Sequence, residues 1–160
     1  MSDIEQQSLR YFVQRGCDPQ WQDFLHAMSR ELAAQLSVPE MRGFYFAVGA
    51  RMANASPVSA GASLTELESA FNDWLAQRDW GFVSIRDRQS VLDFSHACAP
   101  LRAAFGESGM TAAGAILEGL YGTWLGQLGV DDQLELRQIG DAEGPADVLK
   151  FRLAHQSLFA

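Results

Sequence analysis

His96 and Cys98 open the chemical inventory of this chain. They stand two apart in "VLDFSHACA", a segment that reads as a β-strand, so both point to one face and would supply half of a metal site. No second pair with ligand spacing accompanies them, and the expected reading is two ordinary, partly buried side chains. His26 falls in a helical stretch and His155 near the C-terminus, with no partner indicated for either. Asp131-Asp132 precedes a strand and is expected to solvate a turn. The phosphate loop GxxxxGK[ST], the GxGxxG turn, HExxH and GxSxG are all missing, and nothing nominates a nucleophile with its base. The sequence therefore predicts no catalytic residue, no metal, no cofactor and no enzyme.

The bulk numbers narrow the partners. A chain of 160 residues, 48% hydrophobic and 20% charged, is an ordinary globular composition for one domain with a real core. Its net charge of −8 and lack of any Lys/Arg run exclude a nucleic-acid surface and argue against an anionic membrane. No stretch approaches the roughly 18 apolar residues of a membrane span. The opening "MSDIEQQSLRYF" has early acids and no apolar core of signal-peptide length, so the expectation is a cytoplasmic protein with Cys17 and Cys98 reduced.

Several elements must position these residues. Residues 1–17 read as an arm or short helix, and residues 18–160 as a single domain. Asp18-Pro19 starts a helix as N-cap and first helical residue, with Trp21, Phe24, Leu25, Met28, Leu32 and Leu36 at helical spacing. Pro39 opens a second helix, with Phe44, Tyr45, Val48 and Met52 on one side. Ser63 with Glu66 has the form of a capping box and starts a third, carrying Leu64, Leu67, Phe71, Trp74 and Leu75 and stopping near Asp79. "WGFVSIRDRQSVLDFSHA" alternates around a polar turn at Asp87–Gln89, a β-hairpin. A long helix follows over about 110–128, with Gly129 as its C-cap. "DQLELRQI" and "DVLKFRLAH" make a second hairpin around "GDAEGPA". The fold class expected is α+β, an antiparallel sheet packed on helices.

The long helix has an unusual composition. "ILEGLYGTWLGQL" carries Gly119, Gly122 and Gly126, each costing a helix about 1 kcal/mol against alanine. On a helical wheel these three and Gly129 fall within about an 80° arc, roughly opposite Leu120, Tyr121, Trp124 and Leu128. Tyr121 and Trp124 have rings that stack on sugars in other settings, but their place on the apolar side predicts a core role. A bare backbone face invites close approach. Gly119, Gly122 and Gly126 are thus candidate packing or subunit-interface residues, against a neighbouring helix, a second subunit or a ligand.

"ILEGLYGTWLGQLGV" also resembles the LEGLYG-x-W segment of the bacterial cellulose synthase D-subunit family. "FYFAVGARMA", "LTELESAFNDWLAQRDWGFVSI" with Trp80-Gly81 at its helix-to-strand junction, and the last strand "VLKFRLA" resemble further segments in the same order. The resemblance covers roughly residues 20–155. It implies a non-catalytic accessory subunit of cellulose synthesis and export, whose dimers assemble into a ring-like homo-octamer with passages for nascent glucan. Its implied partners are itself, the other synthase subunits and the β-glucan chain, with no residue assigned to glucan contact. A more distant likeness, to 4-vinyl reductase-like domains, implies the alternative of a small-ligand sensor. Those domains usually carry cysteines near the second hairpin, where this chain has none.

Overall fold

The computed structural model describes residues 1–159. Its first four helices begin where short polar side chains satisfy free backbone N–H groups. α1 (Asp3–Gln14), α3 (Val38–Ala55) and α4 (Leu64–Ala76) each start with a capping box, Ser2 with Glu5, Ser37 with Glu40 and Ser63 with Glu66. In α2 (Pro19–Gln35) the Asp18 carboxylate accepts from the Gln20 N–H at 3.0 Å, and Pro19 takes the first helical position. Each such cap stabilises its helix by about 1 kcal/mol. Residues 1–17, left open as arm or short helix, form α1, and the second expected helix begins one residue before Pro39.

α5 (Leu101–Gln127) starts earlier than the 110–128 span expected from sequence, and it is broken at Gly106, whose φ of 76° only glycine adopts readily. Beyond that break, from Gly109 to Leu125, nearly every turn is buried, including Leu117, Leu120, Tyr121 and Trp124. The helix therefore runs through the middle of the domain. Gly129, with φ 90°, lies just past its end.

Both hairpins form. β1 (Phe82–Asp87), β2 (Leu92–Ala97), β3 (Leu134–Glu143) and β4 (Val148–His155) make one antiparallel sheet in the order β1-β2-β4-β3. Alternation divides its two faces. Val83, Ile85, Phe94, His96, Leu136, Leu149, Phe151 and Leu153 are buried, whereas Arg86, Arg137 and Lys150 are exposed. The inner face joins α3, α4 and α5 in one hydrophobic core, so the architecture is α+β, as the element order predicts.

The edges of the sheet are treated differently. Along β1 the Asn72 amide of α4 donates to the Val83 carbonyl and accepts from the Val83 N–H, both at 2.8 Å, and Glu68 accepts from the Ile85 N–H at 2.6 Å. Along β3 one such bond exists, from the Gln138 N–H to Glu118 of α5 at 2.7 Å.

Two readings of the apolar faces are corrected. Trp21 and Phe24, two of the apolar residues at helical spacing in α2, are 55% and 57% exposed; Gln22 and His26 reach α5 instead, where they bond the Ala103 carbonyl. In α3, Phe44 is also exposed, and the buried positions are Met41, Tyr45, Gly49 and Ala53. At Gly49 no side chain fits, because the Ile116 carbonyl of α5 lies against it.

Candidate functional site

α3 crosses α5 in the most extensive helix–helix contact among the described residues. A methyl group on Gly49 would overlap the Ile116 carbonyl, and one on Gly119 would overlap the Phe46 carbonyl. Each helix thus places a glycine three residues from the carbonyl that the other helix's glycine meets. Without Cβ atoms, backbones approach closely enough for Cα–H···O contacts. Polar bonds hold the crossing at both ends. Arg42 donates to Glu118 and to Gln138, each at 3.0 Å, tying α3 to α5 and β3. At the other end the Trp124 indole donates to the Ser56 carbonyl at 3.0 Å, and Gln127 to Asn54 at 2.8 Å.

Of the three glycines singled out in α5, only Gly119 is used in this crossing. Side chains built at Gly122 and Gly126 would meet no atom of the chain within 4 Å. Those two glycines instead line a depression of about 410 Å³ with Phe46, Leu125, Leu134 and Leu136. It lies between the helix layer and the edge of the sheet at β3, with Asp131, Asp132 and Glu135 also on its lining. Asp131 closes the preceding turn, accepting from the Gln133 N–H at 2.8 Å.

His96 is fully buried beneath the first hairpin. Its Nε2 lies 2.7 Å from the Trp80 carbonyl, which only accepts, so Nε2 carries the proton and Nδ1 accepts from the Tyr121 hydroxyl at 2.5 Å. Burial pushes the imidazole down to about 4, partly opposed by its bond to Trp80, and pushes the Tyr121 phenol well up. The ring is therefore neutral near pH 7, and both nitrogens are engaged. Cys98 follows the strand with φ 61°, and burial first, then Asp147, raises its thiol above the usual range. Cys98 and Cys17 are free. No group of three or more potential metal ligands occurs among the described residues.

Tyr121 and Trp124 are core residues, packed with Phe71 at ring separations of 5.2 Å. The aromatics open to solvent lie elsewhere. Tyr11 and Phe12 on α1 are 56% and 69% exposed, and Trp21 and Phe24 on α2 form an edge-on pair 6.0 Å apart. The helical spacing of the α2 pair does not foretell its exposure, and Gly49 is not singled out by the sequence pattern. The four-residue spacing Tyr45, Gly49, Ala53 is the signal that marks the α3 contact face.

This is an α+β domain built on a glycine-mediated helix crossing, with exposed aromatics on its first helices. The chain belongs to the family of cellulose synthase D subunits, whose model matches residues 7–151. It is similar to cellulose synthase operon protein D of Komagataeibacter xylinus, with 28% identity over 109 residues, 67% of this chain and 70% of that protein. The protein of the same description from Komagataeibacter sucrofermentans matches equally well, and a second from K. xylinus is 27% identical over the same length. No helix among the described residues is long and apolar enough to cross a membrane.

Proposed function

We propose that this protein is a non-catalytic accessory subunit of a bacterial cellulose synthase complex. It assembles with itself, as dimers joined in a ring of eight, and arranges synthase complexes or nascent glucan chains so that ordered cellulose forms. The observation that carries this reading is the family match over residues 7–151. The relatives named as cellulose synthase operon protein D support it. So do the exposed aromatics on α1 and α2 and the open depression at Gly122 and Gly126, surfaces of the kind that subunits cover. A closed ring repeats one such contact with a single sequence. The cytoplasm is the compartment assigned, and the unpaired Cys17 and Cys98 fit a reducing one.

Light scattering on the purified protein at micromolar concentration tests the assembly, with eight copies expected and a stable monomer overturning it. Deletion of the gene tests the role. Cellulose synthesis should continue with lower yield or order, and glucan hydrolysis or polymerisation by the pure protein would contradict the reading.

A further inference from the structure

We propose that the outer face of the sheet docks a short acidic segment of a partner polypeptide, holding at least two of its carboxylates. The sequence has no run of Lys or Arg, yet the topology gathers four of them. Arg86 on β1, Arg88 in the turn that follows, and Lys150 and Arg152 on β4 line one depression of about 440 Å³. Four of the chain's 12 Lys and Arg residues thus share a site with one of its 20 acids, Asp93, on a protein of net charge −8. That carboxylate shows how the site holds an anion. It accepts from two nitrogens of Arg152, at 2.8 and 3.3 Å, with Arg88 3.6 Å away. Arg86 is exposed and makes no ion pair among the described residues. Lys150 pairs with Glu143 at 2.7 Å, but with side chains 47% and 63% exposed, and surface pairs of this kind contribute little. Arg86 and Lys150 are the two cations open to a partner.

The register sets the dimensions of the ligand. Arg86 stands opposite Asp93, and Asp93 opposite Arg152. Two residues along, Ser84, Ser95 and Lys150 are aligned in the same way, with Ile139 beyond them on β3. Strands about 4.8 Å apart and rows about 7 Å apart put the Arg86 and Lys150 backbones on the order of 12 Å from each other. An extended chain covers that distance in about four residues. Two carboxylates three or four positions apart therefore reach both cations, with the Ser84 and Ser95 hydroxyls as donors between them. Ile139, 40% exposed, adds an apolar contact at the far end. A long polyanion fits less well. Nucleic acid or an anionic lipid surface extends past this face and meets the acidic remainder of the protein, whose charges act over about 10 Å at 0.1 M salt. A second copy presenting the same face would set arginines against arginines, which opposes a symmetric self-contact. A short acidic segment needs only the basic face.

The probe is a fluorescent peptide with glutamate at every third position among serines, compared with its glutamine counterpart by anisotropy on the full chain. The glutamate peptide should bind, increasingly weakly as salt is raised, and the glutamine peptide should not. Arg86→Glu and Lys150→Glu should each weaken binding at least tenfold, while Arg30→Glu, on the exposed side of α2, leaves it unchanged. The double variant Arg86→Glu with Lys150→Glu should instead take up a peptide with lysine in place of glutamate. Thermal unfolding is followed on each variant, and Arg86→Gln with Lys150→Gln, which keeps polar side chains without the charge, replaces any that fails to fold. Equal binding of the glutamate and glutamine peptides, no binding of either, or an equal loss in Arg30→Glu overturns the proposal. So does tighter binding of duplex DNA or of vesicles containing anionic lipid, lost with the same residues. If the variants change the size of the protein alone, in sedimentation velocity without peptide, the face is occupied by a second copy's acids and the partner segment falls.

Discussion

Gly49 and Gly119 face opposite helices in a reciprocal arrangement, each against a carbonyl of the other's helix, Ile116 and Phe46. Neither carbonyl can rotate away, because both belong to helical backbone. Gly49→Ala and Gly119→Ala should therefore each destabilise the fold, although alanine is the better helix former. Overpacking typically costs 1–3 kcal/mol, which outweighs the roughly 1 kcal/mol of helix propensity gained. Urea unfolding at neutral pH should show a lower midpoint for both variants, and an unchanged or higher one would mean that the helices can separate at little cost.

Gly122 and Gly126 should behave in the opposite way. With no atom within 4 Å of an added methyl group, Gly122→Ala should raise the stability of the folded chain by about 1 kcal/mol. Gly126→Leu separates folding from assembly. It leaves the chain folded but fills the depression beside Phe46 and Leu134, so oligomer size should fall while the melting temperature holds. If size and melting temperature are both unchanged, the depression faces water in the assembly.

These two pairs also show what the sequence could reveal. The caps at Ser2, Asp18, Ser37 and Ser63 reach only two or three residues along the chain, and two of them, with both hairpins, are legible in the order of residue types. The crossing of α3 and α5 is a different case. Hydrophobic periodicity weighs large side chains, and at this contact the decisive groups are the absent ones at Gly49 and Gly119. Trp21 and Phe24 mislead for the converse reason, since their spacing marks an apolar face but does not say whether the same chain covers it. The start of α5 is placed too late because Gly106 interrupts the helical pattern and so separates the first turns, which begin after Pro100, from the long run that follows.

The two tryptophans of the core should differ in what their indole N–H contributes. Trp124 donates to the Ser56 carbonyl at 3.0 Å, whereas the Trp74 indole N–H is buried with no partner among the described residues. Trp124→Phe loses this part-buried hydrogen bond, a cost of about 1 kcal/mol, beyond the cavity it opens. Trp74→Phe opens a similar cavity but relieves an unsatisfied donor, and keeps an aromatic face for the Arg78 guanidinium, 4.2 Å from the ring centre. Trp74→Phe should be the milder change by about 1 kcal/mol or more, measured by chemical denaturation. Equal losses would indicate that packing alone sets the value of both residues.

His96 should give the fold an acid sensitivity of definite sign. In the unfolded chain its imidazole titrates near the ordinary value of 6.5, and in the fold burial holds it down at about 4. Above 6.5 neither state carries the proton, so His96 adds no pH dependence there. Between 6.5 and about 4 the unfolded chain binds a proton that the native state refuses, and stability falls as the pH is lowered. At about 1.4 kcal/mol per pH unit the full loss is on the order of 3 kcal/mol. Reading the slope from pH 6.5 to 5 keeps it clear of Glu5, Glu40 and Glu66, whose carboxyls are held below the ordinary 4.5 by hydrogen bonds from their capping serines. His96→Gln retains a donor for the Trp80 carbonyl and an acceptor for Tyr121 but does not titrate. Urea midpoints of this variant should lie below those of the unmodified protein at pH 7 and converge toward them as the pH falls to 5. Parallel pH profiles for the two proteins would show that His96 is not held neutral by the fold, and the network to Tyr121 and Trp80 would need a charged imidazole instead.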